Sequence, residues 1–393
     1  MQTWLCCQLG AREHYAVPRA LQLSGLLGEF ITDLWIRPGT LLHSWKKRLT
    51  GRFHPDLASA QVNAPNLSAL TFELKASLAR ENGWKLITQR NAWFQCQAVA
   101  QLARINGNGN YTVFAYSYAA AEIFKFARAR GWRTILGQID PGPADERIVA
   151  ALHNASGSKH KAAPKEYWDN WRNECSLADH IVVNSTWSRD ALLGEGIPAE
   201  RIRIIPLAYG AQNDFQRHYP SAFTAERLLR VLFLGQINLR KGVVPLLDAV
   251  KLLVRENIEF WFVGPIQLDI PNDLREHPKC KWFGVAPRIE VDNYYRNADV
   301  FILPTFSDGF GLTQLEAQAW KLPVIASRYC GEVVLDGTNG VILQEVSGQA
   351  IADVLMQFLQ SPETLSAMSM RSGVSDRFSL RRLATSLSNL TAD

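Results

Sequence analysis

The chain of 393 residues carries 42 Lys and Arg against 37 Asp and Glu, a formal net charge of +5, with 47% hydrophobic and 20% charged residues. That length exceeds what one hydrophobic core serves and predicts two domains, and the composition excludes a disordered chain. The modest positive balance excludes the dense basic footprint of a nucleic-acid binder and leaves anionic small molecules or lipid headgroups as fitting partners.

The N-terminal stretch MQTWLCCQLGAREHY has no basic region, apolar run and small-residue cleavage site in series, so no export is expected. Cysteines 6, 7, 96, 175, 280 and 330 form no CxxC pair, and no histidine stands at zinc-finger spacing. Neither a disulfide framework nor a structural metal follows, and a reducing cytoplasm is the expected compartment. The first strand, 3–9, runs into the small-residue loop Gly10-Ala11 ahead of a helix. That loop lets a phosphate approach, although many first strand-to-helix turns contain glycine for packing alone. A second strand covers 28–35.

The segment LLHSWKKRLTGRFH (41–54) carries Lys46, Lys47, Arg48 and Arg52, and no acid occurs between Asp33 and Asp56. It is a candidate for peripheral contact with an anionic inner membrane surface, at about 1 kcal/mol per cation, or a solvated element over an acceptor cleft. The uncharged window Ile105 to Ala121 is too rich in Asn, Gly and Tyr to span a bilayer. Further strands are expected at 111–117, 132–139, 180–185 and 202–206. Between them, EYWDNWRNE (166–174) has helical spacing that serves either an acceptor groove or the core.

A polar, Tyr- and Pro-containing stretch, 209–225, marks the joint between domains. The rhythm then restarts, with strands at 230–235, 259–264, 280–284, 299–305, 323–327 and 340–344 and helical patterns over 243–257 and 312–321. Alternating strands and helices in both halves predict an α/β protein with two parallel sheets, and ligands at their carboxyl ends. The expected division is 1–208, a linker 209–228, a second domain 229–375, and a terminal helix over 376–393 packing back on the first domain.

Two places in the second half suit an anion. FLGQINLRKG ends in Arg240 and Lys241, a planar fork beside a point charge, although such pairs are often plain surface charge. SDGFGLTQLEAQAWKLPVIAS (307–327) leads from a strand through a glycine-bracketed loop into a helix, with Asp308 and Glu316 at its ends. Backbone amides there suit a phosphate and carboxylates suit sugar hydroxyls; the plainer reading makes Asp308 a helix cap and Glu316 a solvent-facing acid.

In this order the three motifs resemble the retaining glycosyltransferases of the GT-B fold, family 4, also called group 1. The resemblance spans nearly the whole chain and is strongest from Arg230 to Leu343, where Asp308 through Glu316 is similar to the family's E-x7-E signature. It implies two Rossmann-like domains with parallel sheets facing a central cleft. A nucleotide diphosphate sugar is the implied donor, with no cofactor or metal, and the acceptor is a hydroxyl on a glycan, a lipid-linked or a small molecule. By this resemblance Glu316 holds the ribose and Asp308 the transferred sugar, and the backbone of Gly309, Phe310, Gly311 and Leu312 meets sugar and phosphate. Arg240 and Lys241 meet the diphosphate, Phe283-Gly284-Val285 lines the base pocket, and Gly10 neighbours a phosphate.

Departures are Asp308 for Glu, Gln236 for an additional Arg, Ala11 for Gly, and Gln138 and Asp140 where a histidine is common. The alternative is a non-catalytic nucleotide-sugar-binding protein on the same fold. A nicotinamide-dependent dehydrogenase is disfavoured, since no G-x-G-x-x-G follows an early strand.

Overall fold

The computed structural model describes residues 2–39, 51–106, 109–210 and 214–391. The first sheet contains Thr3–Gln8 (β1), Leu27–Thr32 (β2), Val62–Asn63 (β3), Tyr111–Tyr116 (β4), Arg133–Gly137 (β5), His180–Val183 (β6) and Ile202–Ile204 (β7), in the order β3-β2-β1-β4-β5-β6-β7. The second contains Leu229–Leu234 (β8), Ile258–Val263 (β9), Cys280–Gly284 (β10), Val300–Leu303 (β11), Val324–Ser327 (β12) and Gly340–Leu343 (β13), in the order β10-β9-β8-β11-β12-β13. Every pairing between these strands is parallel. Central strands such as β11 are buried throughout, because helices cover both faces; they therefore read as unbroken apolar runs. β3, two residues long, has no periodicity to betray it.

The helix Val243–Leu252 shows how the apolar pattern becomes packing. Val243, Leu246, Leu247 and Val250 are buried against the second sheet, each contributing at most about 1.5–3 kcal/mol. It stops short of the expected 257 because Leu253 to Asn257 turn the chain into β9, with Glu256 N–H donating to Leu253 O. The helix Thr313–Ala319 is likewise shorter than the expected 312–321. Lys321, at φ 57°, leaves the helical region and swings the chain into β12.

In the first domain Phe94, Ile123, Phe124 and Trp171 cover one face of the sheet. The other face packs Trp4, Tyr15, Leu21 and Phe30 together with Leu383, Ala384 and Leu387 of the helix Leu380–Asn389. The end of the chain thus lies on the first domain, beside the helix Ala16–Leu23. No helix among the described residues is long and apolar enough to cross a membrane. Of the basic segment, residues 41–50 lie outside the described residues, and Arg52 is paired with Asp33 at 2.9 Å.

In each sheet the strand order reverses once, between β1 and β4 and between β8 and β11. Loops leaving the carboxyl ends of these strands splay apart there and open a crevice. The candidate residues follow those same strands: Gly10 after β1, Arg240 and Lys241 after β8, and 308–312 after β11.

Candidate active site

The loops after β8 and β11 share a hollow of about 400 Å³ with the first domain; its lining includes Arg240, Lys241, Asp308, Phe310, Gly311 and Leu312, with Arg12, Glu13 and Asn184 across from them. Gly242, at φ +72°, lets the Arg240-Lys241 turn press on β11's end, where a Cβ would lie 1.8 Å from Pro304 O. Arg240 Nη1 donates to Ser307 O at 2.8 Å and stands 3.7 Å from Asp145 Oδ1. Burial pushes the Asp145 carboxyl up to about 6, against the pull of the Arg240 charge. Lys241 Nζ is ion-paired with Asp308 Oδ2. Burial pushes the Asp308 carboxyl up, but the Lys241 and Arg240 charges, the Lys241 hydrogen bond and the Phe310 N–H outweigh it and hold the group below its ordinary value. The N–H groups of Gly311, Leu312 and Thr313 take no hydrogen bond among the described residues. Two cations and three unsatisfied amides around one water-accessible hollow form an anion site with a carboxylate as its resident counter-ion.

The opposite wall is built by the turn after β1. Glu13, His14 and Tyr15 all have positive φ (52°, 53° and 60°), three consecutive left-handed residues without a glycine. Such conformations each cost on the order of 1–3 kcal/mol and persist only where surroundings impose them. Here Tyr15 is buried beside Phe30 and Trp35. Glu13 accepts from Tyr116 OH at 2.8 Å. His14 Nε2 lies 3.2 Å from Glu316 Oε1, whose other oxygen accepts from Tyr295 OH at 2.8 Å. Arg288 Nη1 approaches His14 Nδ1 at 2.8 Å. Glu316 does not line the hollow with Lys241; it faces the adjoining seam between the domains. Burial pushes its carboxyl up, but hydrogen bonds from His14 and Tyr295 and the charges of His14 and Arg288 hold it below its ordinary value.

Burial, opposed by the Tyr116 hydrogen bond and the Arg12 charge, raises Glu13 from 4.5 to about 7. Between those values the folded chain keeps a proton that the unfolded chain has lost. The stabilisation is full below the lower value and is lost as pH rises through the upper one. Glu13→Gln removes this dependence. Its melting temperature should gain on the wild type from about pH 5 to about pH 8, by a free energy of at most about 3 kcal/mol, read by calorimetry at both pH values.

Gly309 holds the domains together at the loop. Its carbonyl accepts from Ser185 Oγ at 2.8 Å, and a Cβ on it would lie 2.2 Å from Ile139 O. Around this point Thr186 N–H donates to Glu332 at 2.8 Å and Trp187 Nε1 to Ser307 Oγ at 3.2 Å. Gly309→Ala should therefore pry the domains apart and lower the melting temperature, read by calorimetry, because its Cβ has only backbone to meet.

The structure thus brings Arg240, Lys241, Asp308, Phe310, Gly311 and Leu312 together, and sets Gly309 and Glu316 at the seam beside them. It does not bring in Gly10 or Val285. The Gly10 N–H donates to Asp33 Oδ1 at 2.8 Å, and the residue lines the larger cavity next to the hollow. Val285 is 73% exposed and outside the hollow. Sequence reasoning passed over Arg12 and Glu13, whose signal was their place directly after the Gly10 turn, and Asp145, Arg288 and Tyr295, which no local motif marks. In EYWDNWRNE, Trp171 is core and Tyr167 lines the larger cavity.

Residues 229–361 match the family model for glycosyl transferases group 1. A D-inositol 3-phosphate glycosyltransferase from Xylanimonas cellulosilytica is 32% identical over 204 residues, 46% of this chain and 48% of that protein. The chain spans about half the length of the curated relatives it matches first, at 51%, 51% and 56%. Among solved structures, HepE of Anabaena in complex with UDP superposes with a TM-score of 0.67 at 14% identity, covering 99% of both chains. Sucrose-phosphate synthase from Thermosynechococcus elongatus gives a TM-score of 0.66 at 16% identity, covering 100% of this chain and 98% of that one. Residues 229–361 are thus similar to the group 1 glycosyl transferases, in a chain with the two-domain GT-B fold.

Proposed function

We propose that the chain is a retaining hexosyltransferase of family 4 that moves a sugar from a nucleoside diphosphate sugar to a hydroxyl of an acceptor without a metal ion. The observation that carries this reading is the convergence of Arg240, Lys241 and the Gly311–Thr313 amides on one hollow, with Asp308 inside it and Glu316 at its edge. Supporting it, the structural neighbours include HepE with UDP and with UDP-glucose.

Cleaving the bond between an anomeric carbon and a diphosphate builds positive charge on the sugar and negative charge on the leaving oxygen. One well-aimed donor stabilises such charge by about 3–4 kcal/mol. In the resting chain Asp308 neutralises Lys241. An arriving diphosphate takes over that cation, and the released carboxylate accepts a hydroxyl of the transferred sugar. Attack comes from the face the diphosphate leaves, and its oxygen receives the acceptor's proton, so no protein nucleophile is required.

The test is nucleotide release from UDP- and GDP-sugars by the purified chain. Release should persist in EDTA, because fixed cations already provide the counter-charge. Abolition reversed by magnesium alone would contradict the metal-free mechanism, and absence of any release would leave a binding protein.

A further inference from the structure

A second cavity, about 920 Å³, opens in the first domain and shares Arg12 and Ile139 with the hollow of the candidate site. Most of its charges cancel in place. Arg52 lies 2.9 Å from Asp33, and Arg90 lies 2.8 Å from Glu73. Arg12, which is exposed, and Asp140 remain without an ion-pair partner among the described residues, and Asp140 is held with one oxygen to spare. Its Oδ1 accepts from Tyr118 OH at 2.5 Å, Gln138 Nε2 at 3.1 Å and Gly142 N–H at 2.9 Å. Its Oδ2 takes no hydrogen bond among the described residues.

The groups that fix Asp140 are themselves fixed. Gln138 Oε1 accepts from the buried Trp171 at 2.9 Å. Tyr118 stands at φ 75°, a conformation that a bulky residue keeps only under constraint. Its N–H donates to the buried Glu174 at 2.6 Å. So much support around one half-engaged carboxylate is what orienting a ligand hydroxyl requires.

The wall near Asp140 is aromatic. Tyr118 and Tyr167 stack at 4.8 Å with 18° between planes, and Trp84 lies 4.9 Å from Tyr167. Such rings suit the C–H face of a pyranose, and the carboxylate suits its hydroxyls. Asp140 also abuts the donor loop, since a Cβ on Gly309 would lie 3.2 Å from Asp140 Cα.

We propose that this cavity binds a neutral sugar as acceptor, with the hydroxyl next to its reacting one held by Asp140 Oδ2. The proposal rests on the glycosyltransferase reading above. The acceptor oxygen forms a bond to the anomeric carbon as the bond from that carbon to the diphosphate oxygen breaks. The electron pair leaves with the diphosphate, whose oxygen takes the reacting hydroxyl's proton, and Asp140 orients the sugar through the neighbouring hydroxyl and stays unprotonated. An acceptor bearing a carboxylate or phosphate near this point meets Asp140 as a like charge.

The test is saturation-transfer NMR on the full chain, with and without UDP or GDP. The neutral probes are methyl α-D-glucopyranoside, mannopyranoside and galactopyranoside; the anionic probes are glucuronate and inositol 1-phosphate. At least one neutral glycoside should bind, and Asp140→Asn should weaken it at least about tenfold, the loss expected for a hydrogen bond to a charged group. Trp84→Ala, on the surface-reaching helix Gly83–Leu102, should weaken it similarly and guards against a folding defect in the first variant. An anionic probe binding more tightly than every neutral one, no neutral binding, or neutral binding that both variants leave unaltered would each overturn the proposal. Nucleotide binding is read in the same samples. Its absence counts against the donor reading, and the glycoside result still decides the acceptor.

Discussion

Lys241→Ala lowers kcat/KM for sugar transfer by about 100- to 1000-fold, the loss expected when one donor aimed at a developing oxyanion is removed. The effect falls mainly on kcat, because the charge on the leaving diphosphate is larger in the transition state than in the bound donor. Lys241→Arg keeps the charge and should recover part of the loss, less the misplacement of a planar fork where a point charge sat. The substitution to alanine also leaves Asp308 without its ion-pair partner; the two side chains are each only 15% exposed. Stability should fall by about 3 kcal/mol at neutral pH, towards the lower end for breaking a buried pair. The carboxyl's titration should move upward, since burial then acts with less opposition. Steady-state kinetics and a thermal melt of the same preparation separate the two effects. A variant that melts earlier yet transfers sugar at the wild-type rate would remove Lys241 from the chemistry.

Glu316→Gln should weaken nucleotide binding about 10- to 100-fold, as expected for losing a charge-assisted hydrogen bond to a ribose hydroxyl. The carboxylate is available as an anion because His14, Tyr295 and Arg288 outweigh the effect of its burial. Binding a ribose exchanges one of its present partners. His14 is the one that can yield, being 25% exposed in its side chain and set at φ 53°, whereas Tyr295 is fully buried. Titration calorimetry with UDP and GDP on wild type and variant reads this effect. Equal affinities would put the ribose elsewhere.

The fold was legible because a parallel sheet covered on both faces leaves unbroken apolar runs with turn residues between them, as in β11. The donor side of the site was legible for a related reason. Arg240, Lys241 and Asp308 to Leu312 follow central strands, and the loops leaving two such strands border a crevice wherever the strand order reverses. What the chain kept hidden depends on the path of loops and on contacts between distant segments. The left-handed run Glu13-His14-Tyr15 contains no glycine to announce it, and its conformation is imposed by aromatic packing around Tyr15. Ser185 meets Gly309 across 124 residues, a separation no local pattern encodes. The Gly10 N–H donates to Asp33, on the next strand's exit, a contact between segments that the loop's own residues do not announce. The setting of Asp140 becomes visible only once Tyr118, Gln138 and Gly142 are seen to converge on it.

The central claim is that the hollow between the domains is a diphosphate site with Lys241 and Arg240 on one side and the Gly311–Thr313 amides on the other. A crystal structure of the chain with UDP or GDP bound tests it most directly. The account predicts both phosphates within hydrogen-bond distance of Lys241 Nζ and of at least one of those amides, with the Lys241–Asp308 ion pair opened. A diphosphate bound away from these groups, with that ion pair intact, would contradict it.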